Sequence, residues 1–274
     1  MQRHVFYHAG CNDGFGAAWA AWRLMGDSAI YRAVSYGQAP PPIDEGDEVF
    51  IVDFSYPEEA LRRLAAQASR VVVLDHHKTA VEALAGLLAD PPANLELVLD
   101  LSRSGAMLAW RYFMPADFPP TLLRYVEDRD LWRWKLSESE AINAWISAHP
   151  LDFEVWTTLA ETLASPSGVA PLGRAILQQR SLTVERLCAG AWKVELGGHR
   201  VPVVNSPIHQ SEIGHRLCEL HDDAPFAAVY QDLGGGRRRW SLRSRGDFDV
   251  SEVAGLFGGG GHRAAAGFVV EVTS

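Results

Sequence analysis

Four short apolar runs limit what this chain can fold into more than any other feature. They are HVFY at His4–Tyr7, EVFIVD at Glu48–Asp53, VVVL at Val71–Leu74 and LELVL at Leu95–Leu99. Each is short for a helix, rich in branched or aromatic residues and closer to continuous than to alternating, which is the pattern of a strand buried on both faces. Segments of helical character lie between them. Gly14–Met25 (GFGAAWAAWRLM) is rich in Ala and Trp and reads as a buried helix. Pro57–Ala68 opens with Pro at a first turn, then acids, then Leu61 and Leu64 at helical spacing. Gly105–Phe113 reads as a further helix. Buried strands joined by helices form a parallel sheet covered on each side.

The texture changes twice. Residues 137–190 are mostly helical, interrupted by SPSGVAP at Ser165–Pro171. After Gly190 come short strands with glycine turns: HRVPVVN, FAAVYQD, RRRWSLRS and GFVVEV. GGGRRRW has the make-up of a hairpin tip, with its Arg residues on a solvated face. RGDF at Arg245–Phe248 is a chance tripeptide. The expected organisation is an α/β N-terminal domain over 1–136, a helical connection over 137–190 and a smaller mixed α/β domain over 191–274. The chain, at 274 residues, is long enough for two cores.

Composition narrows the partners. A net charge of −9 argues against coating long nucleic acid, which calls for a broad basic face. A small anion held by a few Arg residues or by metal stays open. Cys11, Cys188 and Cys218 are an odd number without CxxC spacing, as expected of reduced thiols in the cytoplasm. The first residues, MQRHVFYHAG, lack the apolar core of a signal peptide. No apolar run approaches the roughly 20 residues of a membrane span. The oligomeric state is left open, a homodimer included.

The polar residues fall at strand ends. HVFYH ends at His8, with Asp13 at the mouth of the next helix; EVFIVD ends at Asp53; VVVLDHH ends at Asp75, His76 and His77. In an open parallel sheet the carboxyl ends of the strands form the binding edge. Any one of these residues alone would read as a cap or a satisfied core group. Clustered buried carboxylates repel and call for a cation. Carboxylate with imidazole suits Mn²⁺, Fe²⁺, Co²⁺ or Zn²⁺ better than Ca²⁺. Bridging carboxylates point to two ions, an arrangement that activates water and offsets phosphoryl charge in phosphoester hydrolysis. YVEDRDLWRW at Tyr125–Trp134 adds Asp128 and Asp130, which read equally as metal ligands or as a helix end paired with Arg129 and Arg133.

LFGGGGHRAAAGF at Leu256–Phe268 is the second strong signal. Glycines 258–261 let backbone approach a ligand, and RAAAGF reads as the opening of a helix whose N–H groups favour phosphate. His262 and Arg263 add donors. Upstream, SLRSR places Arg243 and Arg245 on one strand face beside Ser244.

Together these segments resemble the DHH phosphoesterase superfamily with its DHH-associated C-terminal domain. LDHH at Leu74–His77 matches the naming signature. HAGCNDG (8–14), VDFS (52–55) and EDRD (127–130) resemble its first, second and fourth motifs, and FGGGGHRAAAGF the signature of the associated domain. The resemblance covers nearly the whole chain. It implies a metal-binding N-terminal domain, usually with Mn²⁺ and here with two ions expected, Mg²⁺, Co²⁺ or Zn²⁺ being alternatives. It also implies a substrate-gripping C-terminal domain and a cleft between the two. The implied activity is hydrolysis of short oligoribonucleotides or of linear or cyclic dinucleotides to nucleoside monophosphates. The alternatives are a 3′-phosphoadenosine 5′-phosphate phosphatase, a pyrophosphatase, or a catalytically weakened nucleotide sensor.

Carried over, His8, Asp13, Asp53, His76 and one of Asp128 or Asp130 are implied metal ligands. Asp75 would orient a histidine, and His77 would meet the phosphate or assist the leaving group. Arg243, Ser244 and the crest of Gly259, Gly260, Gly261 and His262 would bind substrate. The first motif commonly has two acids as Asp-x-Asp. Here Cys11 and Asn12 stand where one is expected, and Cys11 reads as a small packing residue, with soft ligand as the alternative.

Overall fold

The structure is a computed structural model that describes residues 1–272. The chain divides into one unit over 1–177 and a second from Gln178 onward. The first carries β1 (Arg3–His8), α1 (Asn12–Met25), β2 (Ala29–Val34), β3 (Glu48–Val52), α2 (Glu58–Gln67), β4 (Arg70–Asp75), α3 (Lys78–Ala83), α4 (Ala85–Ala89), β5 (Leu95–Leu99), α5 (Gly105–Phe113), α6 (Thr121–Asp130), α7 (Ser139–Ile146), α8 (Phe153–Thr162) and the start of α9 (Ala170–Cys188).

The four apolar runs are strands of one five-stranded parallel sheet in the order β2-β1-β3-β4-β5. Alternation within each run divides its side chains between two cores. Val5, Phe50, Val52, Val72 and Leu74 pack with α1, α5, α6, α7 and α8, while Phe6, Val49, Ile51, Val71 and Val73 pack with α2 and α4. That is why the runs are continuous in sequence: both faces are buried. The edge strand β2 (AIYRAV) has no such run, because its middle residues are partly or fully exposed.

The helices expected as a connector belong largely to the first unit. Ile142, Trp145 and Ile146 of α7, Trp156 and Leu159 of α8, and Ala170 of α9 are buried in the same core as α1 and α5. Gly173 allows α9 to lie on α7, since a Cβ there would meet the Ala141 carbonyl oxygen at 2.1 Å.

The second unit contains the rest of α9, β6 (Trp192–Leu196), β7 (His199–Asn205), α10 (Gln210–Leu220), β8 (Phe226–Leu233), β9 (Arg237–Ser244), α11 (Val250–Gly255), β10 (Gly260–His262) and β11 (Ala265–Glu271). Its sheet runs β10-β11-β9-β8-β7-β6, antiparallel except for the parallel β7–β8 pair. Ile213 and Leu217 of α10 pack on one side with Val184 and Cys188 of α9; Val250, Val253 and Ala254 of α11 pack on the other. GGGRRRW is the β8–β9 hairpin tip, and Arg238 pairs with Asp232 over the Tyr230 ring, 4.1 Å from its centroid.

One expectation is corrected. RAAAGF does not open a helix. Gly260–His262 and Ala265–Glu271 pair as an antiparallel hairpin. The small residues serve backbone-to-backbone approach: a Cβ on Gly259 would meet the Gly267 carbonyl oxygen at 2.1 Å, and one on Gly267 would meet that of Trp240 at 2.8 Å.

Candidate metal centre

The order 2-1-3-4-5 reverses between β1 and β3, so the carboxyl ends of these strands flank the switch point where open α/β sheets bind ligands. Register makes the strands end level: Tyr7 pairs with Val52, and Val52 with Leu74. His8, Asp53 and Asp75 therefore follow side by side at one edge. The Asp53 backbone N–H donates to the Leu74 carbonyl at 2.9 Å, and its φ of 56° lies in the left-handed region that turns the chain away from the sheet.

His76 is the hub. Its Nε2 is 3.0 Å from Asp53 Oδ1, 3.4 Å from Asp13 Oδ2 and 3.6 Å from Asp130 Oδ2. Burial opposes a proton on the ring. The Asp53 hydrogen bond and the charges of Asp130, Asp53 and Asp13 outweigh it, and the pKa is pushed up to about 10. Burial, then the charges of Asp53 and Asp130, push the Asp13 carboxyl well above the usual range. Burial also tends to raise Asp53, but the hydrogen bond from His76 and the nearby His8 and His77 imidazoles hold it well below. Three carboxyl groups crowd one imidazole, an arrangement that a divalent cation would relieve.

Asp13 is fixed by a second task. It accepts hydrogen bonds from the backbone N–H groups of Gly105 and Ala106 at 2.7 and 3.1 Å, at the start of α5. Two glycines allow the packing. A Cβ on Gly14 would meet the His8 carbonyl oxygen at 2.2 Å, and one on Gly105 would meet Asp53 Cβ at 2.4 Å.

Asp53 faces two ways. While Oδ1 meets His76, Oδ2 lies 3.7 Å from His8 Nδ1 and 3.6 Å from Cys11 Sγ. Two overlapping donor sets result, Asp13–Asp53–His76 and His8–Cys11–Asp53. Oxygen and nitrogen donors, with one sulfur in the second set, at these separations fit a divalent transition-metal ion, and one shared carboxylate suits a pair.

Asp75 is consumed locally. Its Oδ1 accepts from the backbone N–H groups of His76 and His77 and lies 2.7 Å from His77 Nδ1, while Oδ2 accepts from Ser55 Oγ at 2.6 Å. The histidine it orients is therefore His77. Asp128 is not brought to the cluster. Its buried carboxylate accepts from the backbone N–H groups of Lys135 and Leu136 and from Ser139 Oγ, which closes the turn into α7. Asp130 is the acid of this segment beside His76.

Of the two residues standing where Asp-x-Asp is expected, Cys11 lies within the cluster, whereas Asn12 donates to Ser147 Oγ. One neighbour escaped sequence reasoning. Tyr36, half exposed, packs its ring against His8 at 5.2 Å and against Phe54 at 4.9 Å. The strand before it, β2, has no apolar signature in sequence that would have marked it.

In the second unit, Arg243 donates through Nη2 to Ser211 Oγ at 2.6 Å and through Nη1 to the Leu242 carbonyl at 2.8 Å. Ser244 is on the opposite, buried face of β9, where its hydroxyl donates to the Phe248 carbonyl at 2.8 Å. That hydroxyl is part of the core. Gly259 precedes β10, and Gly260, Gly261 and His262 form it.

Residues 201–273 match the family description of the DHHA1 domain. An uncharacterised protein of Acanthamoeba polyphaga mimivirus, R106, is 28% identical over 283 residues, covering 96% of this chain and 66% of that protein. Oligoribonuclease NrnB of Bacillus subtilis is 27% identical over 241 residues, covering 81% of this chain and 59% of NrnB. The chain thus spans 66% and 59% of the two relatives' lengths, under two thirds of each. Among solved structures, the pGpG-specific phosphodiesterase PggH of Vibrio cholerae aligns over 99% of this chain and 94% of its own, at 13% identity and a TM-score of 0.48.

Proposed function

We propose that this chain, which belongs to the DHH superfamily and carries a DHHA1 domain at its C-terminal end, is a divalent-metal-dependent phosphodiesterase. In this reading it hydrolyses short oligoribonucleotides or linear and cyclic dinucleotides to nucleoside monophosphates in the cytoplasm. The observation that carries the reading is Asp53, which directs one carboxylate oxygen to each of two donor sets at the switch point of a parallel sheet. The likeness to NrnB, an oligoribonuclease, supports the substrate class.

Asp13, Asp53, Asp130 and His76 would hold one ion, and His8, with the other oxygen of Asp53, would hold the second. Two such ions, Mn²⁺ being expected from the resemblance, supply an activated water and offset charge on the phosphoryl group. The protein's residues do the rest. Asp75 fixes the His77 ring at the same edge, where it meets the substrate phosphate. Asp13, anchored on two N–H groups of α5, keeps its carboxylate aimed at His76. Arg243 and the Gly259–His262 segment would bind the substrate's phosphate or sugar; Ser244, committed to Phe248, is left out of that role.

A panel with Mn²⁺ tests the reading: two- to five-residue RNA, linear and cyclic dinucleotides, 3′-phosphoadenosine 5′-phosphate and pyrophosphate. Turnover of the first two classes, abolished by EDTA and restored by Mn²⁺, is expected. Turnover of none above the EDTA control overturns it, and turnover of pyrophosphate alone replaces it with a pyrophosphatase.

A further inference from the structure

Cys11 Sγ lies 3.7 Å from His8 Nδ1 and 3.6 Å from Asp53 Oδ2, and His8 Nδ1 lies 3.7 Å from that same oxygen. The three atoms, one sulfur, one nitrogen and one oxygen, close a triangle. The His8–Asp53 edge is too long for a hydrogen bond. With metal bonds of about 2.3 Å to sulfur and 2.0–2.2 Å to nitrogen and oxygen, tetrahedral ligands stand roughly 3.4–3.6 Å apart. The edges of the triangle lie at or just beyond that spacing. The donors come from three separate places: the end of β1, the first turn before α1 and the residue after β3. Asp53 is almost fully buried and His8 partly open to solvent, so an ion can enter.

We propose that His8, Cys11 and Asp53 hold one divalent ion through a Cys11 thiolate, and that this subsite prefers a thiophilic ion such as Zn²⁺ or Co²⁺ to Mn²⁺. The inference rests on the metal-dependent reading above and narrows it. The two subsites differ in softness: Asp13, Asp53, Asp130 and His76 offer only oxygen and nitrogen, while the second set adds sulfur. Thiolate selects borderline and soft ions; carboxylate suits Mn²⁺ and Mg²⁺. The thiol proton leaves to solvent on binding. Cys11 is also the N-cap of the 14-residue α1 and accepts the Gly14 N–H at 3.2 Å.

Capping alone is the plain alternative, and it can be separated. Serine caps a helix well but is no thiolate. Full-length protein is titrated with Co²⁺ and followed by absorption. A thiolate-to-cobalt charge-transfer band is expected in the near ultraviolet, absent in Cys11→Ser and Cys11→Asp. In competition titrations, the preference for Zn²⁺ over Mn²⁺ is expected to fall in Cys11→Ser by at least the roughly 10–100-fold that loss of even an outer supporting partner costs a metal site. Cys11→Asp should move it further toward Mn²⁺. Cobalt bound with visible ligand-field bands but no charge transfer overturns the proposal, as does a band that persists without Cys11 or an unchanged Zn²⁺/Mn²⁺ preference. Should Cys11→Ser fail to fold, Cys11→Asp carries the comparison. The same samples are assayed on the phosphodiester panel. Turnover without charge transfer sinks this inference and keeps the functional reading; charge transfer without turnover does the reverse.

Discussion

Asp53 holds a backbone conformation that non-glycine residues enter at a cost on the order of 1–3 kcal/mol. What the strain secures is a carboxylate with one oxygen toward His76 and the other toward His8. A site built this way is unfavourable when empty, because Asp13, Asp53 and Asp130 crowd one imidazole. Asp130 has the least to lose locally: its contact in the cluster is His76 Nε2 at 3.6 Å, whereas Asp13 also caps α5. Asp130→Asn should therefore raise the Tm of the protein in chelator while lowering Mn²⁺ affinity and phosphodiesterase activity. A melt in EDTA and a metal titration check both signs; a lower Tm in EDTA would show that the carboxylate charge stabilises the empty site. At this scale the sequence was only partly legible. His8, Asp13, Asp53 and His76 could be read because each follows an apolar strand or opens a helix. The choice between Asp128 and Asp130 could not, because residues two apart on a helix point to opposite sides and the phase of α6 depends on tertiary packing. Cys11 was legible as a departure from Asp-x-Asp, but packing and soft ligation could not be told apart without the positions of His8 and Asp53.

Between elements, the decisive feature is how closely α1 and α5 approach the strand ends. Gly105→Ala would place a methyl 2.4 Å from Asp53 Cβ. Alanine improves helix propensity by up to about 1 kcal/mol, but overpacking a tight contact costs roughly 1–3 kcal/mol, and here the neighbour is a strained residue that cannot swing away. The variant should be less stable by up to about 2 kcal/mol, the difference of those two terms. It should also bind metal more weakly than wild type, since α5 carries the N–H groups that hold Asp13. Chemical denaturation read beside a metal titration checks this, and a variant as stable as wild type with unchanged affinity would contradict it. The parallel strands were legible because burial on both faces leaves a continuous apolar signature. The edge strand β2 lacks it. RAAAGF misled for a physical reason: alanines favour helices in isolation, but at Ala265–Gly267 small size lets β11 lie between β9 and β10.

Across the whole molecule, every implied metal ligand belongs to the unit over 1–177, which has its own two cores, while the sheet from Gln178 onward has separate ones. The expected connector over 137–190 could not be divided from sequence, because helices that line a core and helices that bridge domains share the same periodicity. The division makes a calorimetric prediction. A ligand that binds only the folded state stabilises it by RT ln(1 + [L]/Kd), about 2.7 kcal/mol at a hundredfold excess over Kd. At roughly 2–4 °C per kcal/mol for a domain of this size, Mn²⁺ should raise the melting transition of the first unit by about 5–10 °C. The transition of the second unit should stay where it is, and EDTA should reverse the shift. Asp53→Asn should abolish the metal-dependent shift without moving the second transition, because it removes the carboxylate shared by both donor sets. If a single transition moved as a whole with metal, the two units would melt as one. If neither transition moved, while Mn²⁺ bound by direct titration, the ion would lie outside the cluster around His76.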